Sequence, residues 1–264
     1  MAPPKPITAK EAIKSAVPDL KVGPYHTTSN AFHRVDFVGD LAPWANFNED
    51  AWQYSNATNW AGHKSVLGFE PKGTMKFYTA HEHVAVGDET GVQGRFNQNV
   101  GQTLTAACGA FGLDLSFADY KACADGSLLG RVPDSICMTS QGALRAVGEI
   151  KTPWVAAHHI QNMDIGYSDK QRRRALGQIS LYMRSAHIRY GFLSTYDSTV
   201  FLRQVEKAGG QWGLEYSEPV SNDQAAGGNA GEITLREGFW FLLGEASGAN
   251  YMANNNTPVG NWTK

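Results

Sequence analysis

Residues 131–151 place the strongest constraint on how this chain can fold. Two runs of alternating side chains, 134–138 and 143–151, are separated by the four residues 139–142, Thr-Ser-Gln-Gly. Short alternating runs joined by small polar residues and glycine are typical of a β-hairpin. The stretch therefore predicts two antiparallel strands with a tight connection.

The predicted hairpin brings charged side chains together on one of its faces. Because successive side chains of a strand alternate between faces, one face carries Arg145, Val147, Glu149 and Lys151. With four residues in the loop, Asp134 lies opposite Val147 and diagonal to Glu149, and diagonal side chains approach to roughly 7–8 Å. Two carboxylates and one ammonium group then converge, as at a divalent metal site. The alternative is a solvated strand face with a Glu149–Lys151 pair.

Three motifs in this order resemble a known nuclease superfamily. Pro133-Asp134, a gap of fourteen residues and Glu149-Ile150-Lys151 resemble the PD-(D/E)XK signature. Downstream, Gln178-Ile179-Ser180-Leu181-Tyr182 is similar to the QxxxY motif of the RecB-like branch. Upstream, Glu89 opens a stretch with helical spacing, where many members of the superfamily carry a glutamate.

Further along, two segments extend the resemblance. Residues 191–203 and 234–240 are similar to a large set of fungal PD-(D/E)XK proteins, so that the resemblance covers roughly 85–245. It implies an α/β chain with a restriction-endonuclease-like central mixed sheet flanked by helices, and an N-terminal extension.

The resemblance also implies roles for the motif residues. Asp134 and Glu149 would bind Mg²⁺ or Mn²⁺, with the main-chain carbonyl of Ile150 as a third ligand. Such ions take oxygen ligands and make a hydroxide accessible near neutral pH. Lys151 would orient or deprotonate the attacking water.

Two predicted helices would complete the site. Gln178 would position Lys151 or a phosphate, Tyr182 would brace the site, and Glu89 would serve as an outer carboxylate. Glu89 lies in a predicted first helical turn, where the helix dipole alone favours an acidic residue. Gln93 is the alternative contribution from that helix.

The remaining elements follow from periodicity and from turn residues. Helices are predicted at 88–111, with Asp88 or Thr90 as N-cap, at 169–190 and at 233–246. Strands are predicted at 31–38, 75–86, 117–122, 191–196, 199–206 and 211–217. We expect an N-terminal arm and aromatic-rich lobe over 1–86, a nuclease-like core over 87–250 and a C-terminal tail over 251–264.

Composition narrows the class of protein. The chain has 264 residues, 42% of them hydrophobic, which is enough for a sizeable single core. No apolar run approaches the ~20 residues of a membrane helix, and Met1–Pro6 lack the apolar stretch of a secretory signal. Three cysteines without Cys-x-x-Cys spacing argue against disulfides or a zinc site. We expect an intracellular protein, in the nucleus or cytoplasm, that does not bind membranes.

Charge is unevenly distributed along the chain. The formal net charge is −2, but residues 145–207 contain ten lysines and arginines against five acidic residues. Such a local positive excess favours a nucleic-acid partner, although a solvated helix face has the same composition. The candidate nucleic-acid-binding residues are Arg145, Arg172, Arg173 and Arg174.

These observations together predict a metal-dependent nuclease that hydrolyses the phosphodiester bonds of DNA, with RNA as the other candidate substrate. Two alternatives stay open, a catalytically silent nucleic-acid-binding module and an effector-like protein-interaction module on the same fold. Whether two copies act together as a homodimer also stays open.

Overall fold

The computed structural model describes residues 4–28, 35–62, 65–70, 82–124, 128, 132–163 and 166–264. Within them the strands are β1 (Pro6–Thr8), β2 (Asp40–Pro43), β3 (Val66–Phe69), β4 (Ser116–Ala118), β5 (Ser135–Met138), β6 (Leu144–Ile150), β7 (Tyr190–Ser194), β8 (Ser198–Glu206), β9 (Trp212–Tyr216) and β10 (Val220–Ser221). The α-helices are α1 (Ala9–Ile13), α2 (Phe47–Ala57), α3 (Glu89–Phe96), α4 (Gln102–Phe111), α5 (Asp169–Ser185), α6 (Leu235–Ser247) and α7 (Val259–Trp262). A π-helical turn, Asn97–Gly101, joins α3 to α4.

Eight of the described strands form one mixed sheet. The order is β2-β9-β8-β7-β6-β5-β4, and β10 pairs with the start of β8. β2 runs parallel to β9 and β6 runs parallel to β7, whereas the other neighbours are antiparallel. β1 and β3 pair separately. The predicted α/β class, with a mixed sheet flanked by helices, is confirmed.

Different helices cover the two faces of the sheet. On one face α1, α2, α4 and α6 enclose an apolar core in which the rings of Phe192 and Phe239 pack edge to face at 4.9 Å. On the other face α5 packs on β6 and β7 through Leu176, Ile179 and Met183. The helix that carries Gln178 therefore lies over the strand that carries Glu149. None of the helices in the described ranges is long and apolar enough to cross a membrane.

Part of the predicted N-terminal extension belongs to the central core. β2 extends the main sheet, and α2 packs against α6, where the Ser55 hydroxyl donates to Glu237 Oε1 at 2.7 Å. The C-terminal tail is also packed, because Trp262 is fully buried and its indole N–H donates to the Ser180 carbonyl.

Two predicted strands fall largely outside the described residues. These are 31–38, of which 31–34 are not described, and 75–86, of which 75–81 are not described. The described remainders contribute only isolated bridges, at Phe37 and Val86.

Gly177 lets α5 pack directly against the main chain near residue 35. A Cβ atom at this position would lie 1.9 Å from the carbonyl oxygen of Val35, which no side-chain rotation can relieve. We expect Gly177→Ala to lower the free energy of unfolding by about 1–3 kcal/mol despite the higher helix propensity of alanine. Denaturant titration measures the change.

Gly94 provides the matched control, because it is also helical and a Cβ there would meet nothing within 4 Å. Gly94→Ala should stabilise the protein by about 0.5–1 kcal/mol. If Gly177→Ala proves as stable as Gly94→Ala, the close approach to Val35 does not exist.

Candidate active site

The β5–β6 hairpin positions the candidate site with a register that differs from the predicted one. Ile136, and not Asp134, lies opposite Val147, and a register shift follows between Cys137 and Met138. If the same register continues for one residue beyond the Ser135–Gly148 pair, Asp134 lies opposite Glu149. Up to Cys137 the error is two residues, which preserves the shared face of Asp134 and Glu149; at Met138, after the register shift, the error is one residue, which reverses the facing there.

Asp134 lies immediately before β5, and its side chain accepts a hydrogen bond from the end of β6. Its Oδ2 accepts the N–H of Ile150 at 2.8 Å, in the place where a strand backbone would otherwise pair. Burial raises the pKa of the Asp134 carboxyl to about 6, against the opposing effects of the Ile150 hydrogen bond and of Lys151. The carboxylate is therefore held in place by the main chain but poorly compensated in charge.

Glu149 and Lys151 form a buried ion pair at the end of β6. Glu149 Oε1 lies 2.5 Å from Lys151 Nζ, and the two side chains are 3% and 5% exposed. Burial, together with the charge of Asp134, raises the pKa of Glu149 to about 8. Glu149 Oε2 is buried and has no hydrogen-bond donor within the described residues. One oxygen of this carboxylate is thus left for another ligand.

Glu89 reaches the same ammonium group from α3. Asp88 is the N-cap, accepting from the N–H of Gly91, so that Glu89 stands in the first turn. Its Oε2 lies 3.3 Å from Lys151 Nζ, and the side chain is 40% exposed. Burial lowers the pKa of Lys151, but the charges of Glu149 and Glu89 outweigh this and raise it overall. Lys151 is therefore an ammonium here, and Gln93 lies one turn beyond Glu89.

Gln178 and Tyr182 form a hydrogen-bonded pair on α5, with Nε2 of the amide donating to the tyrosine oxygen at 2.7 Å. Burial, with the charge of Glu149 adding to it, raises the pKa of Tyr182 to about 12. Gln178 Oε1 is a second buried acceptor without a donor in the described part of the chain. α5 therefore closes the site above Glu149.

His158 is a neighbour of the site that sequence reasoning missed. Its Nδ1 lies 3.1 Å from the Thr152 hydroxyl and 3.2 Å from the Thr152 carbonyl. Burial lowers the pKa of His158; the charge of Lys151 lowers it further, and the charge of Glu89 opposes the shift. No motif marks this residue, because a loop and two short 3-10 turns, and not a strand or helix pattern, position it.

Arg172 and Arg173 were predicted to bind nucleic acid, but the structure gives each an intramolecular role. Arg172 donates to the carbonyls of Met163 and Tyr167. Arg173 pairs with Asp169 at 2.7 Å and donates to the Gly39 carbonyl at 2.7 Å. Both side chains therefore tie α5 to neighbouring segments.

The other two predicted arginines differ from each other. Arg174 pairs with Asp36 at 3.0 Å, and both side chains stay over one-third exposed. Arg145 donates to the Ala246 carbonyl at 3.4 Å, and its guanidinium lies 3.7 Å from the centre of the Tyr251 ring. Arg145 therefore has an intramolecular hydrogen bond and a ring contact near the C-terminal end of α6, and its predicted contact with nucleic acid stays a prediction.

The candidate oxygen ligands at the hairpin are the carboxylates of Asp134 and Glu149 and the carbonyl of Ile150, and Glu89 adds a third carboxylate from α3. Across the described ranges, no group of three or more His, Cys, Asp or Glu side chains could hold a metal ion. The N–H of Ile150 points at Asp134, and its carbonyl points to the same edge, because both groups of a strand residue face one neighbour. Asp134, Glu149 and Ile150 thus offer the oxygen ligands that Mg²⁺ takes together with water.

No protein-family model, curated protein or solved structure matches this chain.

Proposed function

We propose that the protein is a metal-dependent nuclease of the PD-(D/E)XK type, with a restriction-endonuclease-like sheet, that hydrolyses phosphodiester bonds of DNA or, alternatively, of RNA. The observation that supports this most is the buried pair of Glu149 and Lys151 beside the half-buried Asp134, in which Glu149 Oε2 has no donor among the described residues.

The charge balance of this group favours a bound cation. Burying a carboxylate costs several kcal/mol unless an opposite charge or a strong hydrogen bond compensates it. One ammonium, Lys151, faces Glu149, Glu89 and Asp134. Burial raises the pKa of both Asp134 and Glu149; the charge of Glu89 adds to this at Asp134, and the charge of Asp134 adds to it at Glu149. A divalent cation would supply the missing positive charge.

Each residue of the site has a chemical task in this proposal. Mg²⁺ or Mn²⁺, when held by Asp134, Glu149 and the Ile150 carbonyl, supplies hydroxide near neutral pH and offsets phosphate charge. Lys151 donates from Nζ to the attacking water or to a non-bridging phosphate oxygen. A preorganised donor of this kind increases the rate of the chemical step by a factor of about 10²–10³. As an ammonium it orients the water and does not take its proton.

Three further side chains hold Lys151 and the phosphate in position. Glu149 and Glu89 contact Nζ from two directions, at 2.5 and 3.3 Å. Gln178 is held by the hydrogen bond from its Nε2 to the Tyr182 hydroxyl, and the second N–H of that amide is a donor for a phosphate oxygen. Rigid placement of this kind contributes to rate because it lowers the entropic cost of reaching the transition state.

A substrate panel tests the proposal directly. The purified chain is incubated with supercoiled plasmid, linear duplex, single-stranded DNA and RNA, each with Mg²⁺, Mn²⁺ or EDTA. We expect cleavage of at least one DNA substrate with either metal and none with EDTA. Absence of products on every substrate, or cleavage that persists in EDTA, contradicts the proposal.

One observation favours the second candidate, a nucleic-acid-binding module without turnover. Glu149 Oε1 is already paired with Lys151 Nζ, and the described residues include no group of three Asp, Glu, His or Cys side chains that could hold a metal ion. Retention of labelled oligonucleotides without cleavage in either metal would favour this candidate.

A further inference from the structure

A cavity of about 500 Å³ opens between the start of α5 and the segment that follows β6 in the chain. One wall is the first two turns of α5, with Lys170 and Arg174, and the other is the segment Ala156-Ala157. Tyr167 lines it as well, and its hydroxyl donates to the Ala157 carbonyl at 3.1 Å. The volume is within the range of sites that bind a nucleotide-sized ligand.

Both walls of the cavity continue into the candidate site. Arg174 precedes Gln178 by one helical turn on the same side of α5, and Lys170 precedes it by two. At 1.5 Å per residue, these positions lie about 6 and 12 Å from Gln178 along the helix axis. The opposite wall follows Lys151 in the chain by five residues. A strand cut at the site could therefore run directly into the cavity.

The chemistry of the lining fits a phosphate and a base. Lys170 is exposed. Arg174 contacts Asp36 through Nη1 at 3.0 Å, and this is its one ion pair in the described structure. A guanidinium carries five N–H donors, so Arg174 can also bind a phosphate. Two alanine methyl groups and the Tyr167 ring supply an apolar wall, on which a base could stack.

We propose that this cavity binds the nucleotide next to the scissile phosphate in a single-stranded substrate, an inference that rests on the nuclease function proposed above. Lys170 and Arg174 hold the phosphates, the unpaired base lies against Tyr167, and Asp36 is the counter-ion that a phosphate displaces. A paired base could not enter the cavity, so the substrate is single-stranded or has an unpaired end.

Binding in EDTA, where cleavage does not interfere, tests this proposal. The fluorescence anisotropy of a short labelled single strand and of the blunt duplex of the same sequence is titrated with the wild-type chain and with variants. We expect Lys170→Ala and Arg174→Ala each to weaken binding of the single strand about tenfold. Each variant should also reduce the slope of log K against the logarithm of the salt concentration by about one, which corresponds to the loss of one phosphate contact. Asp36→Asn should tighten binding, and Tyr167→Ala should weaken it at least about fivefold.

The matched control is Lys10→Ala, which removes an equal charge from an exposed position on α1, a helix packed on the opposite face of the sheet. It should bind like the wild type. Thermal melting shows that each variant is folded, and the exposed Lys170 provides a test that does not disturb the ion pair of Arg174.

The outcomes separate the two proposals. If Lys170→Ala and Arg174→Ala bind the strand as the wild type does, or if the blunt duplex binds as tightly as the strand, the cavity is not this subsite, and metal-dependent cleavage is unaffected. If the expected binding pattern is found but no metal supports cleavage, the cavity binds single-stranded nucleic acid, but the nuclease function fails, and with it the position of the cavity next to a scissile phosphate.

Discussion

Glu149→Gln is expected to lower the rate of metal-dependent cleavage by at least about a thousandfold. Glutamine has nearly the same shape as glutamate, so the β5–β6 hairpin should keep its register. The substitution removes the charge of a carboxylate whose Oε2 has no described donor and whose Oε1 lies 2.5 Å from Lys151 Nζ. Single-turnover cleavage of the best substrate measures the effect, and Mg²⁺ should raise the melting temperature of the wild type but not of the variant.

Glu89→Gln is the matched control for this substitution. Glu89 contacts the same ammonium at 3.3 Å, but its side chain is 40% exposed and is not among the proposed metal ligands. We expect a loss of less than about tenfold in rate, because an exposed carboxylate contributes little to a neighbouring charge, and a retained response to Mg²⁺. Equal losses in both variants would mean that Glu149 acts only by holding Lys151.

Arg236→Ala is expected to lower the free energy of unfolding by about 3–5 kcal/mol. Arg236 on α6 is 8% exposed, and burial lowers its pKa to about 10. Its guanidinium donates twice to the carbonyl of Asn99, in the π-helical turn, and once to that of Ala12 at 3.1 Å. Removing the side chain leaves buried carbonyls without this donor and opens a cavity. Denaturant unfolding with an unchanged m-value measures the loss.

Two controls interpret the Arg236 result. Arg236→Lys keeps the charge but cannot reach two carbonyls with one planar group, so we expect an intermediate loss. Lys5→Ala, which breaks exposed surface ion pairs, should leave the free energy of unfolding close to that of the wild type, because water screens such pairs. If Arg236→Ala is no less stable than Lys5→Ala, the π-helical turn does not depend on Arg236.

The elements that carry the site were predictable because their patterns are local. The capping box of Ser168 and Gln171 starts α5 where helical spacing predicts it, and Asp88 starts α3 in the same way. Alternation gave the faces of the β5–β6 hairpin, although its loop is longer than predicted and its register differs by two residues. Local patterns fix the period and the face of an element, but not its exact partner.

The elements that were missed depend on distant partners. β2 is a four-residue strand ending in a proline and pairs with β9, more than 170 residues away. α2 contains Asn, Ser, Tyr and Trp, which have low helix propensity, and it is stabilised by packing against α6. The sequence does not predict these two elements, because nothing within residues 1–86 shows that the rest of the chain covers them.

The sequence by itself determined that Asp134, Glu149 and Lys151 share one strand face, and that Gln178 and Tyr182 lie one turn apart on a helix, because these relations follow from the fixed periods of strands and helices. Only the tertiary structure decided which charges stay available. Arg172 and Arg173 donate hydrogen bonds to main-chain carbonyls of segments next to α5. Arg174 lines a cavity, and Glu149 Oε2 has no donor among the described residues. Hydrogen-bond partners and burial arise from segments far apart in the chain, which no local pattern encodes.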